Sequence, residues 1–225
     1  MFPSRYNRPR FSTLRRVTGS HYFDEDPSAE SNVRQIPLHL PDLSIELDVD
    51  RGVFSASKID PGTRVLLVEA AKPDPQAGGL TILDVGCGYG PIACAVATRS
   101  PESTVWAVDV NARARDLCAG NAKRLGLNVS VAAPEDVPAD LTFDLIVSNP
   151  PIRIGKKNLH SLLEHWLDRL APTGHAELVV QKHLGSDSLH RWLDEHGWAT
   201  TRLTSRSGYR VLVVSPRPGA AKGDQ

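Results

Sequence analysis

The sequence carries no surplus of either charge: 26 Lys and Arg are matched by 26 Asp and Glu over 225 residues. No whole-molecule field therefore draws the chain to nucleic acid or membrane, and any such attraction has to come from local patches. Cysteine is scarce. Cys87, Cys94 and Cys118 fall in stretches that read as buried and show no C-x-x-C or Cys/His spacing, which argues against a disulfide framework and a zinc site and fits a reducing cytoplasm. The eight histidines lack metal-ligand spacing, so no metal is expected. No run approaches the roughly 18 apolar residues of a membrane span, and the N-terminus lacks the apolar core of a secretory signal. The length suits one well-buried domain with extensions.

Residues 1–20 carry Arg5, Arg8, Arg10, Arg15 and Arg16 with no acid and little apolar periodicity, and are expected to be a disordered basic tail. Such a tail could be a solvated end, an RNA-contacting arm or a mimic of an organellar transit peptide. Residues 21–58 read as an N-terminal extension with short strands. An acidic cluster at Asp24, Glu25, Asp26 and Glu30 precedes I-P-L-H-L-P-D-L-S-I-E-L-D-V-D, whose alternation predicts a hairpin or edge strands with Leu43, Ile45, Leu47 and Val49 on one face. Phe54, in the turn Arg51–Ser55, is either a pocket residue or a core aromatic at the domain edge. Asp60-Pro61 predicts an N-cap followed by proline at the first helical position, opening a helix that runs through Thr63 to Ala71.

Leu80 to Gly90, L-T-I-L-D-V-G-C-G-Y-G, organises the rest of the chain. Its apolar half reads as a central parallel strand. Gly86, Gly88 and Gly90 permit close backbone approach, and Pro91 suits the first turn of a helix running to about Arg99. A strand, a glycine turn and a helix N-terminus bring free amides to the carboxyl end of a sheet. A dinucleotide fingerprint fails, because the sixth position counted from Gly86 is Pro91; a nucleotide-binding Rossmann turn or a purely structural one stays open. A second strand at Thr104–Val110 delivers Asp109, placed to accept from ribose hydroxyls or to cap the helix predicted from Asn111 to Leu125 and stopped by Gly126. After a third strand at 128–132 comes Glu135-Asp136, where Asp136 could accept from an adenine amine.

The strand Phe143–Ser148 runs into Asn149-Pro150-Pro151-Ile152. Two prolines fix two φ angles and remove two donors, so the preceding carbonyls are held as outward acceptors. Acceptors suit an exocyclic amine: the Asn149 side-chain oxygen and the Pro150 carbonyl could together favour the pyramidal geometry in which the amine lone pair attacks. Arg153, Lys156 and Lys157 follow in a predicted loop, where they could hold phosphates or simply be solvated. Leu159, Leu162, Leu163, Trp166, Leu167 and Leu170 repeat at helical spacing and read as core. A strand at His175–Gln181, a helix from Asp187 to His196, and two strands at 199–204 and 209–215 around S-R-S-G complete the pattern. His183 could face the site or be structural, and 217–225 reads as a frayed tail.

Asp84 to Gly90, Asp109 and N-P-P-I at 149–152 together resemble class I S-adenosylmethionine-dependent methyltransferases acting on exocyclic amines. G-V-F-S at 52–55, D-P-G-T at 60–63 and N-P-P-I-R-I-G-K at 149–156 are similar to the small methyltransferase branch that includes the ribosomal small-subunit RNA guanine-N2 methyltransferase C family. The resemblance spans about Leu43 to Pro216. It implies an α/β, Rossmann-like class I methyltransferase fold over 59–216: a seven-stranded, mostly parallel sheet with helices on both faces and a C-terminal antiparallel hairpin. It implies S-adenosylmethionine held around Asp84, Gly86, Cys87, Gly88, Gly90, Asp109, Val110, Asp136 and Asn149. Catalysis falls to Asn149, Pro150 and Pro151, and an RNA substrate, most simply ribosomal RNA, meets Phe54, Ile152, Arg153, Lys156 and Lys157. Family members with an aromatic after N-P-P can stack on a flipped base, whereas this chain has Ile152. They also carry a second copy of the fold ahead of the catalytic one, and here only about 50 residues precede it. Adenine N6, tRNA, protein glutamine and small molecules remain rival acceptors. A catalytically silent ribosome-associated module and a nicotinamide oxidoreductase are rivals of other classes.

Overall fold

The computed structural model describes residues 32–50, 58–74 and 78–218; the basic segment 1–20, the acidic cluster, Phe54 and the tail from 219 lie outside the described residues. Among the described residues the alternating stretch forms β1 (Arg34–His39) and β2 (Ser44–Val49), an antiparallel pair. Pro37 is accommodated because this two-stranded sheet has only edges. Leu47 and Val49 are buried, Ile45 half-buried.

The remaining elements are α1 (Pro61–Glu69), β3 (Thr81–Val85), α2 (Pro91–Arg99), β4 (Thr104–Val108), α3 (Ala112–Leu125), β5 (Val129–Ala132), β6 (Phe143–Ser148), α4 (Lys156–Leu167), β7 (Leu170–Gln181), α5 (Ser186–Glu195), β8 (Thr200–Arg206) and β9 (Tyr209–Val214). They build a seven-stranded sheet in the order β5-β4-β3-β6-β7-β9-β8. β3 to β7 are parallel, and β9 is antiparallel to both β7 and β8. Since successive strand residues point to opposite faces, the sheet sorts its side chains into two cores. Ile82, Leu145, Val147, Val179 and Val211 meet α1, α2, α3 and the hairpin residues Leu38, Leu47 and Val49. Leu83, Val85, Phe143, Ile146, Leu178 and Leu212 meet α4 and α5. The sheet topology is the Rossmann-like one expected, and the hairpin is packed into its first core.

Asn121 of α3 fastens that hairpin. Fully buried, its Nδ2 donates to the carbonyls of Asp48 and Tyr89 (both 2.9 Å), and its Oδ1 accepts from the Asp48 amide (2.7 Å) and from Arg124 (3.1 Å). Every hydrogen-bonding site of the amide is used, so its burial carries no unsatisfied group.

Several expected boundaries shift for physical reasons. The first helix stops at Glu69 rather than Ala71, because the Ala71 amide donates to Glu177 Oε2 (2.6 Å) and its carbonyl accepts from Arg99 (2.8 Å), which turns the chain to φ 51°. Lys156 and Lys157 do not lie in a loop but open α4, since Gly155, at φ 86°, lets the helix begin there. Leu170 ends the apolar stripe as the first residue of β7 rather than on the helix, and β7 is correspondingly longer than His175–Gln181. The S-R-S-G turn holds Ser207 at φ 51° and Gly208 at φ 80°, a two-residue connection whose twist matches its strands.

Candidate active site

The strand order reverses at β3, which sends β4 and β5 to one side and β6 and β7 to the other, and a crevice outside the carboxyl ends of the strands is expected there. The glycine loop leaves β3 and the N-P-P segment leaves β6 at that point. Ser148 pairs with Val85, and its buried hydroxyl donates to the Val85 carbonyl (2.7 Å), so Gly86 and Asn149 begin as neighbours.

The three glycines differ in role. Gly86 (φ 75°) and Gly88 (φ 56°) have nothing within 4 Å of where a Cβ would stand, so this side of the loop is open to a ligand. Gly90 (φ 90°) caps α2, and a Cβ there would lie 2.7 Å from Cys118 Sγ. Its missing side chain serves helix packing instead. Cys87 is buried, its thiol pushed upward by the hydrogen bond with Cys118 and then by burial, so only its backbone can face a ligand.

Asp84 is also fully buried. Its Oδ2 accepts from the Ala93 amide (3.0 Å) in the first turn of α2, whereas Oδ1 has no partner, and burial pushes its carboxyl up to about 8. An orphaned buried oxygen beneath the glycine loop is a feature that a cationic ligand would relieve.

Asp109 does not cap α3, a place that Asn111 takes; it ties the glycine loop to the start of that helix instead. Its Oδ2 accepts from the Gly88 amide (3.0 Å) and Oδ1 from the Asn111 amide (2.9 Å). A half-exposed carboxylate with two bonds still has acceptor capacity for hydroxyls. Val110 beside it is 53% exposed, an apolar surface at the rim. Arg115, which the sequence did not single out, donates to the carbonyls of Asp109 (2.7 Å) and Val110 (3.0 Å) and fixes that corner. Asp136 is exposed in a 3-10 turn at Pro134–Asp136, just past the end of β5. The residues expected around a nucleoside thus converge on the ends of β3, β4 and β5.

On the other side of β3, Asn149 is half-buried. Its Nδ2 donates to Asp60 Oδ1 (2.7 Å) and Thr63 Oγ1 (3.0 Å). Asp60 is the expected N-cap of α1 and accepts from the Thr63 amide (3.0 Å). The Pro150 carbonyl accepts from the Ile152 amide (2.8 Å) across Pro151, whose φ −73° and ψ 79° describe an inverse γ-turn. One lone pair of that carbonyl is therefore used, and Pro150 itself is buried. Ile152 packs partly into the second core, and Arg153 is exposed in the same 3-10 turn. Lys156 and Lys157 are exposed, and no ion pair among the described residues uses them or Arg153. Among the described residues there is no metal-binding cluster, and all three cysteines are free and buried.

The family model of the methyltransferase small domain matches residues 44–213, from the first residue of β2 to within β9. The chain belongs to this family. Its fold and cofactor are those of the class I S-adenosylmethionine-dependent methyltransferases, and the open glycine cradle, the orphaned Asp84 oxygen and the half-exposed Asp109 fit that cofactor. The uncharacterized protein YbxB of Bacillus subtilis is 35% identical over 196 residues, covering 85% of this chain and 96% of that one. The ribosomal RNA small subunit methyltransferase C of Shewanella amazonensis is 32% identical over 197 residues, covering 85% of this chain but 55% of its own length. Among solved structures, the T. thermophilus 16S rRNA N2 methyltransferase RsmC, in complex with AdoMet and guanosine, superposes with a TM-score of 0.66 at 22% identity. That match takes in 82% of this chain and 51% of that one. The chain therefore spans about half the length of these two rRNA methyltransferases and nearly the whole of YbxB.

Proposed function

We propose that this methyltransferase transfers a methyl group to an exocyclic amine of RNA, guanine N2 of ribosomal RNA being the acceptor favoured. The observation that carries it is Asn149. With both Nδ2 protons donated to Asp60 and Thr63, its Oδ1 takes no bond from the protein among the described residues, beside the opening of the glycine loop. The cofactor supplies a methyl already activated on a sulfonium, so positioning is the main task left to the protein. Asn149 Oδ1 and the second lone pair of the Pro150 carbonyl accept the two amine protons, which directs the nitrogen lone pair toward the methyl carbon. As the N–C bond forms, the C–S pair returns to sulfur and the nitrogen becomes acidic. One of its protons then leaves to solvent with no strong base required.

RNA is favoured by local charge in a chain that is neutral overall. Arg153, Lys156 and Lys157 crowd the start of α4, which the helix dipole makes positive already, an arrangement that disfavours cations unless an anion is bound. Lys182 and His183, exposed in the turn after the adjacent strand β7, extend the patch. The likeness to the rRNA small subunit methyltransferases favours ribosomal RNA over other RNA.

The test is transfer of labelled methyl to ribosomal RNA from cells lacking the gene, with the modified nucleoside identified by mass spectrometry. Methylguanine is expected, and Asn149→Ala should lose turnover on the order of a hundredfold with a far smaller loss of cofactor affinity. Label in adenine or in protein glutamine would replace the acceptor. Cofactor binding without transfer to any fraction would favour a silent module.

A further inference from the structure

We infer that Asp60 and Thr63 form a positioning pair that locks the Asn149 amide with its oxygen toward the acceptor, and so makes the site select hydrogen-bond donors over carbonyls. The inference rests on the methyl-transfer reading above but concerns residues outside the reacting atoms.

An asparagine amide has two faces of opposite character, and a free one can turn by half a rotation at little cost. Here it cannot. Turned over, Asn149 would present its oxygen to the Asp60 carboxylate, and two acceptors would face each other where a 2.7 Å donor bond now stands. Thr63 Oγ1 takes the second proton at 3.0 Å from a buried side chain, which settles the torsion as well as the sense.

The pair is itself built rigidly. Asp60 Oδ1 is held by the Thr63 amide in the first turn of α1, and Pro61 fixes the backbone between them. Gly62 is required at this point: a Cβ would come within 2.8 Å of the Tyr209 ring and 3.0 Å of Asp60 Oδ1. Tyr209 therefore closes down on the turn from β9, and the phenols of both Tyr89 and Tyr209 are pushed upward by burial and then by the Asp60 charge. The carboxylate sits among Asn149, Thr63 and two tyrosines, with a single orientation of the Asn149 amide compatible with it.

The consequence is a choice between substrates. With its donors committed inward, Asn149 offers only a lone pair outward. An amino group at the reacting position is matched, whereas a carbonyl there would meet another acceptor. Cutting the lock leaves Asn149 in place but frees its rotation.

The test has two arms on the full-length chain. In the first, the side-chain NH2 resonance of Asn149, assigned as the pair lost in Asn149→Ala, is followed by 15N NMR, with no methyl acceptor needed. In wild type the pair should exchange slowly with solvent. In Asp60→Ser, which keeps the helix cap but is too short to reach, and in Thr63→Val, which keeps the shape, exchange should accelerate about tenfold or more, the cost of one net hydrogen bond. In the second arm, kcat should fall on the order of ten- to a hundredfold in both variants while cofactor affinity holds. Asp60→Asn and Thr63→Ser, each able to accept again, should recover most of the rate. Unchanged exchange in both variants, or a parallel fall in cofactor affinity and thermal midpoint without rescue, overturns the lock. If Asp60→Ser does not fold, Thr63→Val with its Thr63→Ser rescue decides alone. Wild-type failure to methylate any RNA, with the exchange result intact, overturns the RNA reading and leaves the lock standing.

Discussion

Two glycines four residues apart should fail in opposite ways. Gly86→Ala adds a methyl to open space above the loop, at a φ that costs about 1–2 kcal/mol for a residue with a Cβ, and should weaken cofactor binding more than it lowers stability. Gly90→Ala drives its methyl to within 2.7 Å of Cys118 Sγ and loses about 1–3 kcal/mol more in packing, so unfolding should come first. Denaturant melts beside cofactor titrations separate the two, and equal losses of affinity would remove the distinction. Asp84 gives a pH dependence of known sign. Burial raises its carboxyl from 3.8 to about 8, so the folded chain keeps a proton that the unfolded chain has released. Its contribution to stability is complete below the lower value and is lost as pH climbs to the upper one. Asp84→Asn cannot titrate, and its urea midpoint should be flatter than wild type between about pH 4 and pH 8. Parallel profiles would mean that Asp84 is already ionised in the folded chain.

At the scale of elements, the hairpin β1–β2 depends on one residue of α3. Asn121→Leu abandons the Asp48 amide and carbonyl and the Tyr89 carbonyl in a buried place, a loss of about 2–4 kcal/mol. Hydrogen exchange at the Asp48 amide should then rise toward that of an isolated two-stranded ribbon, with a smaller effect on cofactor affinity through Tyr89; retained protection would show the apolar face sufficient. Asn121 also marks where sequence reading stops. Strands and helices were legible because period-2 and 3.6 patterns, proline after Asp60 and glycine after Leu125 are local signals. Gly86, Asp109 and Asn149 were legible because spacing along the chain fixes them. What joins Asn121 to Asp48 across 73 residues, or Asn149 to Asp60 across 89, is a contact made only by folding, and neither residue carries a local sign of its partner. The segment D-P-G-T at 60–63 was visible as a helix start and as part of the resemblance, but not as the support of Asn149. The extent of α4 was missed for the converse reason: Gly155, read as part of a loop, starts the helix instead.

For the whole molecule, zero net charge means that affinity for a polyanion has to be local and therefore easily removed. Replacing Arg153, Lys156 and Lys157 by alanine should lower the slope of log K against log salt for single-stranded RNA by about 2, at roughly 0.7 per phosphate contact, without moving the thermal midpoint. An unchanged slope would place the RNA elsewhere on the surface. The sheet itself has a consequence in time. β9 is made last among the described strands, yet it is inserted between β7 and β8, and its Tyr209 lies against Gly62 beside the Asp60 cap. A chain emerging from the ribosome therefore carries the glycine loop, Asp109 and α3 while β7 still lacks its outer neighbour. The segments that carry the glycine loop and Asp109 are thus synthesised before the strand that covers Asp60, and a nascent chain stalled before β9 lacks that cover.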